Sequence, residues 1–327
     1  MQTATSKTAL TVSRLGLGCM GMSEFYGESD PVEAQRVLAR ALELGVTFLD
    51  TADMYGRGEN ERLIGSFVFG NRDRVVIATK CGIVRGETPA DQRRDTRPAY
   101  IRSACEASLR RLGVEVVDLF YLHRLDGVTP IQDSIGELAR LVQEGKIRHI
   151  GLSEVTVDEL RQAHAVHPVA AVQSEYSLST RGSEVEAVID ACADLGTLFV
   201  PFSPLGRGLL TAAYRSPEAF KGADFRTILP RFQPGVLEQN LSVVDRLADI
   251  AARKGCTVAQ LALAWVLARG AHVAPIPGTR RIDRLEENVG ALNVSLGADD
   301  LAEIDRAAPA DAILGDRYPT SLAPRTS

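Results

Sequence analysis

Apolar residues along this chain fall into short dense runs separated by amphipathic stretches. The runs Val46–Leu49, Val75–Ala78, Val116–Leu122, Ile147–Leu152, Val169–Gln173, Leu198–Phe202 and Val273–Ile276 read as buried strands. Between them Val32–Leu44, Glu59–Phe69, Pro98–Leu112, Ile131–Glu144, Val157–Ala165 and Glu184–Leu195 carry helical spacing. Asp30-Pro31 is an N-cap followed by proline at the first helical position, and Gly45, Gly145 and Gly196 are C-cap signals. Leu10–Leu17 alternates enough to predict a hairpin leading into a first strand near Arg14–Gly18. That makes eight strands, with a helix after almost every one, which favours a closed (β/α)8 barrel over an open doubly wound sheet. The order is interrupted between Phe202 and Val273, where two helices, Leu237–Lys254 and Val258–Arg269, follow an irregular Gly-, Pro- and Arg-rich stretch from Gly206 to Gly235. A loop of that length is expected to be functional, as a lid for example. Residues 1–327 read as one barrel domain with a tail expected to fray in part from about 310.

Composition agrees. With 327 residues, 45% hydrophobic and 24% charged, the chain can bury a large core. The net charge of -5 gives no general attraction to nucleic acid or an anionic membrane surface. Five scattered cysteines without a CxxC pair point to reduced thiols in the cytoplasm and predict neither a metal site nor a disulfide framework. No apolar run approaches the ~20 residues of a membrane span, and no secretory h-region follows Met1. Gly16-Leu17-Gly18-Cys19-Met20-Gly21 matches G-x-G-x-x-G, but no helix opens at the glycines as dinucleotide binding of that type requires. A close-packed turn at a strand end is the expected use.

The candidate chemistry stands at the strand ends. One run stops at Asp50 with Tyr55 just beyond, the next at Lys80, and the third at His123. A barrel gathers the C-terminal ends of its strands on one face. There a lysine beside a buried tyrosine would lower the tyrosine pKa, and a carboxylate would keep the lysine charged. Such a tyrosine can donate a proton to a carbonyl oxygen, with a histidine hydrogen-bonding the same oxygen. Singly, each residue has an ordinary structural use as N-cap, salt-bridge partner or packed ring. Their joint placement points to catalysis.

Those residues, with Gly45–Gly65, Ala78-Thr79-Lys80, Leu122-His123-Arg124, Lys146–Glu154, Ile276–Arg280 and Leu285–Asn288, make the chain resemble the aldo-keto reductases from about Leu15 to Ala307. Phe202–Gly208 and Leu229–Phe232 look most like the branch that includes plant perakine reductase. The resemblance implies a barrel using NADP(H), with Asp50, Tyr55, Lys80 and His123 as a catalytic tetrad. It also implies that Ser153 and Gln173, with Glu154 beside them, meet the nicotinamide carboxamide, and that Phe202 stacks on the ring. Ser203, Pro204, Leu205, Gly206 and Arg207 would form the loop over the pyrophosphate. Gly278, Thr279, Arg280, Arg284, Glu287 and Asn288 would surround the adenosine 2′-phosphate and adenine.

Two positions depart from the family pattern. Glu154 stands where many members have asparagine, and Gly278 where some have a lysine for the phosphate. The expected function is NADP(H)-dependent reduction of an aldehyde or ketone, on a small carbonyl substrate. Met22, Phe25, Met54, Ile83 and Leu125 are candidates for its apolar pocket, and Arg124 and Arg231 for a polar anchor. Two alternatives are a slow NADP(H)-binding redox-sensing subunit and a Schiff-base lyase using Lys80.

Overall fold

The computed structural model describes residues 2–87, 91–222 and 224–319. Its chain opens with a hairpin, β1 (Thr3–Thr5) against β2 (Thr11–Ser13), and continues through β3 (Leu17–Gly18), α1 (Pro31–Glu43), β4 (Phe48–Asp50), α2 (Glu59–Val68) and β5 (Val76–Cys81). A small ribbon follows, β6 (Ile83–Val84) with β7 (Arg93–Arg94), then α3 (Pro98–Leu112), β8 (Val117–Leu122), α4 (Ile131–Gln143) and β9 (Ile147–Ser153). The second half holds α5 (Val157–Val166), β10 (Val169–Glu175), α6 (Ser183–Leu195), β11 (Leu198–Phe202), α7 (Val236–Arg253), α8 (Val258–Leu267), α9 (Ile282–Gly290) and α10 (Ala298–Ala307).

Seven strands form one parallel sheet in the order β11-β10-β9-β8-β5-β4-β3. An eighth segment closes it. Val273 bridges Phe199 of β11, and Gly278 bridges Gly18 of β3, both in parallel. The amides of Ala274 and Ile276 donate to the carbonyls of Phe199 and Pro201, at 2.9 and 3.0 Å. On the other side Gly16 and Gly18 donate to the carbonyls of Pro275 and Pro277. Those prolines have no N–H to return, so the closure keeps only half a ladder on the β3 side and never becomes a regular strand. The barrel is therefore the expected (β/α)8 arrangement with an irregular last stave.

Burial explains the alternation. Apolar residues on the outer faces of the strands pack under α1–α8 in one continuous core, in which Val37, Leu38, Ile135, Leu138, Leu247 and Trp265 are fully or almost fully buried. The barrel interior is a second, smaller core around Phe48, Ala78, Leu119, Tyr121, Val200 and Ile276. Ala4, Leu10 and Val12 of the hairpin pack into it, and the Ser13 hydroxyl accepts from the amides of Thr47 and Phe48, so the hairpin plugs the N-terminal end of the barrel. The hairpin thus begins before the predicted Leu10–Leu17, with Thr3–Thr5 as its first arm. α10 and the β6–β7 ribbon lay outside the sequence prediction; two-residue arms ending in Arg93-Arg94 show no apolar alternation to find.

The stretch from Gly206 to Gly235 is a chain of short 3-10 turns, at Gly206–Thr211, Pro217–Ala219, Phe225–Ile228 and Pro230–Phe232. Its anchor is Arg226, which pairs with Asp224 at 2.7 Å and lies 4.3 and 4.4 Å from the rings of Tyr214 and Phe220. The tail, expected to fray from about 310, is held at several points as far as it is described: Leu314 donates to Asn240 at 2.7 Å, and Gly315 accepts from Arg231 at 3.0 Å. Ser321–Ser327 lie outside the described residues. No single helix among the described residues is long and apolar enough to cross a membrane; the pair α7 and α8 meets that test only together, across an 86° bend.

Closure of the barrel depends on a glycine. A Cβ on Gly18 would sit 2.9 Å from the Ile276 carbonyl oxygen, a backbone atom held in the closure. Gly18→Ala is expected to cost about 1–3 kcal/mol of stability. In urea unfolding this reads as a lower midpoint with an unchanged slope; an unchanged midpoint would show that the closure yields freely.

Candidate active site

Parallel register sets the chemistry. Asp50 ends β4 opposite Ala78, Lys80 lies two residues further along β5 and opposite Tyr121, and His123 leaves β8 just after Leu122. Tyr55 arrives from the turn after β4, where Gly56 and Arg57 both adopt left-handed backbone (φ 53°) and fold the chain back over the barrel mouth. The Lys80 ammonium is completely buried and donates to Asp50 Oδ1 at 2.5 Å, to the Thr51 carbonyl at 2.8 Å and to the Tyr55 hydroxyl at 3.5 Å. The other Asp50 oxygen accepts from Gln173 at 2.8 Å. The His123 ring meets Tyr55 edge-on, with centroids 5.9 Å apart. The four residues predicted from the strand ends are therefore in one cluster.

Burial and mutual charge set their protonation. Burial weakens the hold of Lys80 on its proton, but Asp50 and Tyr55 together more than offset this, so the amine stays an ammonium. Burial pushes Asp50 upward, against Lys80 and Gln173. The Tyr55 hydroxyl also ends above its ordinary value, because burial outweighs the opposing pull of Lys80. This corrects the expectation of a lowered tyrosine pKa: the lysine acts in the expected direction and loses to desolvation. His123 is held well below its usual range by burial, Lys80 and Arg124, and so is neutral. Its buried Nδ1 has no partner among the described residues.

A cleft of about 980 Å³ runs from this cluster across the barrel mouth. Ser153 and Gln173 line its floor, and Phe202, Ser203, Pro204, Leu205 and Arg207 line one wall. Gly278, Thr279, Arg280, Arg284, Glu287 and Asn288 line the far end. There Arg284 pairs with Glu287 at 2.8 Å, and Arg280 donates to the carbonyls of Tyr26, Gly27 and Glu28. Phe25, Met54, Ile83 and Arg124 stand at the cluster end, but Met22 is buried in the core and Leu125 packs against it. Strand-end reasoning missed Arg226, Tyr26, Tyr214, Phe225 and Tyr318, which also line the cleft from loops and the tail.

Three expected positions are engaged elsewhere. Glu154 sits in left-handed backbone (φ 55°) and turns away from the cleft lining; its carboxylate accepts from the Glu175 amide at 2.7 Å and pairs with Arg317 at 2.9 Å. Gly206 lies beneath the wall, where a Cβ would meet Ser179 at 2.5 Å. Arg231, a candidate substrate anchor, instead bonds Thr180 at 2.5 Å and faces Glu175. The focus of these residues is Glu175, buried and paired with Arg207 at 2.8 Å and Arg317 at 3.2 Å. Burial alone would raise its pKa, but Arg207, Arg317 and Arg231 outweigh burial and keep it ionised. Arg207 lines the cleft with its charge already matched, and Tyr318 lies 4.6 Å over its guanidinium. Neither the motifs nor the spacing gave any sign of this cluster.

A family model described as the aldo/keto reductase family matches residues 14–309. Among solved structures, a glycerol dehydrogenase from Gluconobacter oxydans is 30% identical, with 94% of this chain and 96% of that one covered and a TM-score of 0.85. An aldo-keto reductase from Bacillus halodurans, in its holo form, is 28% identical over 95% of this chain and 97% of that one, with a TM-score of 0.79.

The Glu175 cluster yields a test. Glu175→Ala leaves Arg207 and Arg317 facing each other without their shared counter-ion, and breaking a buried pair from one side typically costs about 3–5 kcal/mol. A loss of unfolding free energy of that size, read from the shift of the urea midpoint, is expected. A loss below about 1 kcal/mol would mean that water screens the cluster as it does surface pairs.

Proposed function

We propose that this chain, which belongs to the aldo/keto reductase family, reduces an aldehyde or ketone to an alcohol with NADPH, using Tyr55 as the proton donor. The observation that carries the reading is the buried Lys80 ammonium in contact with both Asp50 and the Tyr55 hydroxyl. A carbonyl oxygen bound at the Tyr55 hydroxyl would gain charge as the carbon is reduced, and the phenolic proton meets that charge. Lys80 then lies beside the phenolate that remains, so the ion pair acts most strongly after the proton has left. Neutral His123 orients the same oxygen without competing to donate a full charge. In alcohol oxidation the proton runs the other way, and the Gluconobacter neighbour is named for such a substrate.

The residues present fit the cofactor. The cleft is continuous from Tyr55 to Arg284, with amide and hydroxyl groups at one end, an aromatic ring beside them, and guanidinium groups at the other. When bound, the nicotinamide supplies the hydride. Ser153 and Gln173 would hold its carboxamide and Phe202 its face, while Thr279, Arg280 and Arg284 would take the 2′-phosphate and Asn288 the adenine. Glu154 would act through the loop it braces rather than by contact. Among relatives, we place the chain in the perakine-reductase-like branch on Phe202–Gly208 and Leu229–Phe232. We assign it to the cytoplasm on its scattered cysteines, all free and four of them buried. The Schiff-base alternative fits less well, because Lys80 is wholly buried and held protonated by Asp50 and Tyr55.

Tyr55→Phe should lower turnover of carbonyl reduction by on the order of 100-fold or more, while NADPH affinity, followed by fluorescence titration, barely moves. Comparable turnover in the variant would remove Tyr55 from the role. Because only the phenol can donate and its pKa lies above the ordinary tyrosine value of about 10, the reductive rate should stay level through neutral pH and fall only in strong alkali. A fall between pH ~6 and ~8, the range in which histidine titrates, would assign the proton to another group.

Cofactor choice is read separately. Arg284→Ala should weaken NADPH by about tenfold or more and NADH far less, as expected for one charge-assisted contact to a phosphate. Equal NADPH and NADH dissociation constants in the unmodified enzyme would overturn the NADPH preference.

A further inference from the structure

The wall of the cleft beside Tyr55 and His123 is unusual in its charge. Arg124 follows His123 directly, and its guanidinium donates to the His123 carbonyl at 2.5 Å and to Ser153 Oγ at 2.9 Å, both neutral acceptors. Arg94, on the β6–β7 ribbon opposite Ile83, lines the same wall, and its guanidinium forms no hydrogen bond or ion pair among the described residues. Arg85, also on this wall, is already matched by Glu24 at 2.6 Å. Arg57 donates to the backbone carbonyls of Gly86 and Glu87, at 2.7 and 3.5 Å. Among the described residues, neither Arg94 nor Arg124, both at the reaction end of the cleft, has a carboxylate partner.

Their proximity has a cost. Arg94 holds its proton less firmly than a free arginine, first because it is partly desolvated and then because Arg124 repels it. An anion between the two would offset their repulsion, and the planar fork of a guanidinium suits a carboxylate or phosphate. Ile83, opposite Arg94 on the ribbon, and Met54, next to Tyr55 in the chain, line the same cleft with Phe25 and offer apolar surface for a short carbon spacer.

We propose that the substrate is a small carbonyl compound carrying an anionic group, carboxylate or phosphate, which Arg94 and Arg124 hold while its carbonyl oxygen lies at Tyr55. The proposal rests on the reductase reading and names the substrate class of that same site. Arg94 is the specificity-determining residue that can be probed cleanly, since Arg124 also braces His123 and Ser153.

The test uses matched pairs: 4-oxobutanoate against butanal for a carboxylate, and glyceraldehyde 3-phosphate against glyceraldehyde for a phosphate. With the full-length enzyme and NADPH, kcat/KM should favour at least one anionic member by about tenfold or more. That ratio should collapse in Arg94→Ala, mainly through KM, and recover in part in Arg94→Lys. The pair with the larger ratio identifies the anion. Binding is followed in parallel by calorimetry of succinate and inorganic phosphate with the NADP-saturated enzyme, where Arg94→Ala should weaken the preferred anion by a similar factor. If no aldehyde is reduced but the anion still binds in an Arg94-dependent way, the reductase reading fails and the anion site stands. Equal kcat/KM within both pairs, or an anionic preference that survives Arg94→Ala, overturns the proposal.

Discussion

The interaction on which the site depends is the ion pair between Lys80 and Asp50, made where no water reaches either group. An ammonium cannot be left unpaired in a barrel interior, so its acceptors must be in place before the fold can close around it. Asp50 Oδ1, the Thr51 carbonyl and the Tyr55 hydroxyl take its hydrogen bonds, and they come from one strand end and the turn that follows. Gln173 fixes the far side of Asp50 from the opposite part of the barrel. The same demand for partners that keeps the lysine charged also brings Tyr55 to it. Site and fold are held by one set of contacts.

A second charged centre, around Glu175, ties together elements distant in sequence. Arg207 comes from the wall of the cleft, Arg231 from the long connection before α7, and Arg317 from the C-terminal tail. Glu154 joins through Arg317. Three guanidiniums packed against one buried carboxylate hold the loop after β11 and the tail against the barrel, and Tyr318 is carried into the cleft lining as a result. Arg207, Arg231 and Arg317 thus serve structure through Glu175, whereas Arg94 has no carboxylate partner among the described residues.

The alternation of apolar runs and amphipathic stretches was enough to determine the barrel, because each strand is buried on both faces and each helix on one. Glycine and N-cap signals fixed most helix ends to within a residue or two. The four residues at the site were legible for a simple reason: parallel strands end on one face, so sequence position at a strand end implies spatial neighbourhood. The last stave was legible as an apolar run but not as half a ladder, since only its neighbours show which side of Pro275 and Pro277 lacks a donor. Protonation was not legible either. The sign of the Tyr55 shift depends on whether burial or Lys80 prevails, and burial is a property of the packed barrel.

What the tertiary structure alone decided is which charges pair. Glu154 and Arg231 looked like cleft residues from their place in the chain, but Glu175 and Arg317 draw them, with Arg207 of the cleft wall, into a cluster that no local pattern encodes. Arg94 carried no signal at all, lying on a two-residue strand in a ribbon that alternation could not reveal. Sequence thus determined what local periodicity and parallel register convey: the barrel and the convergence of Asp50, Tyr55, Lys80 and His123. Long side chains reaching across loops obey no such periodicity, so their partners were settled only when the chain had folded.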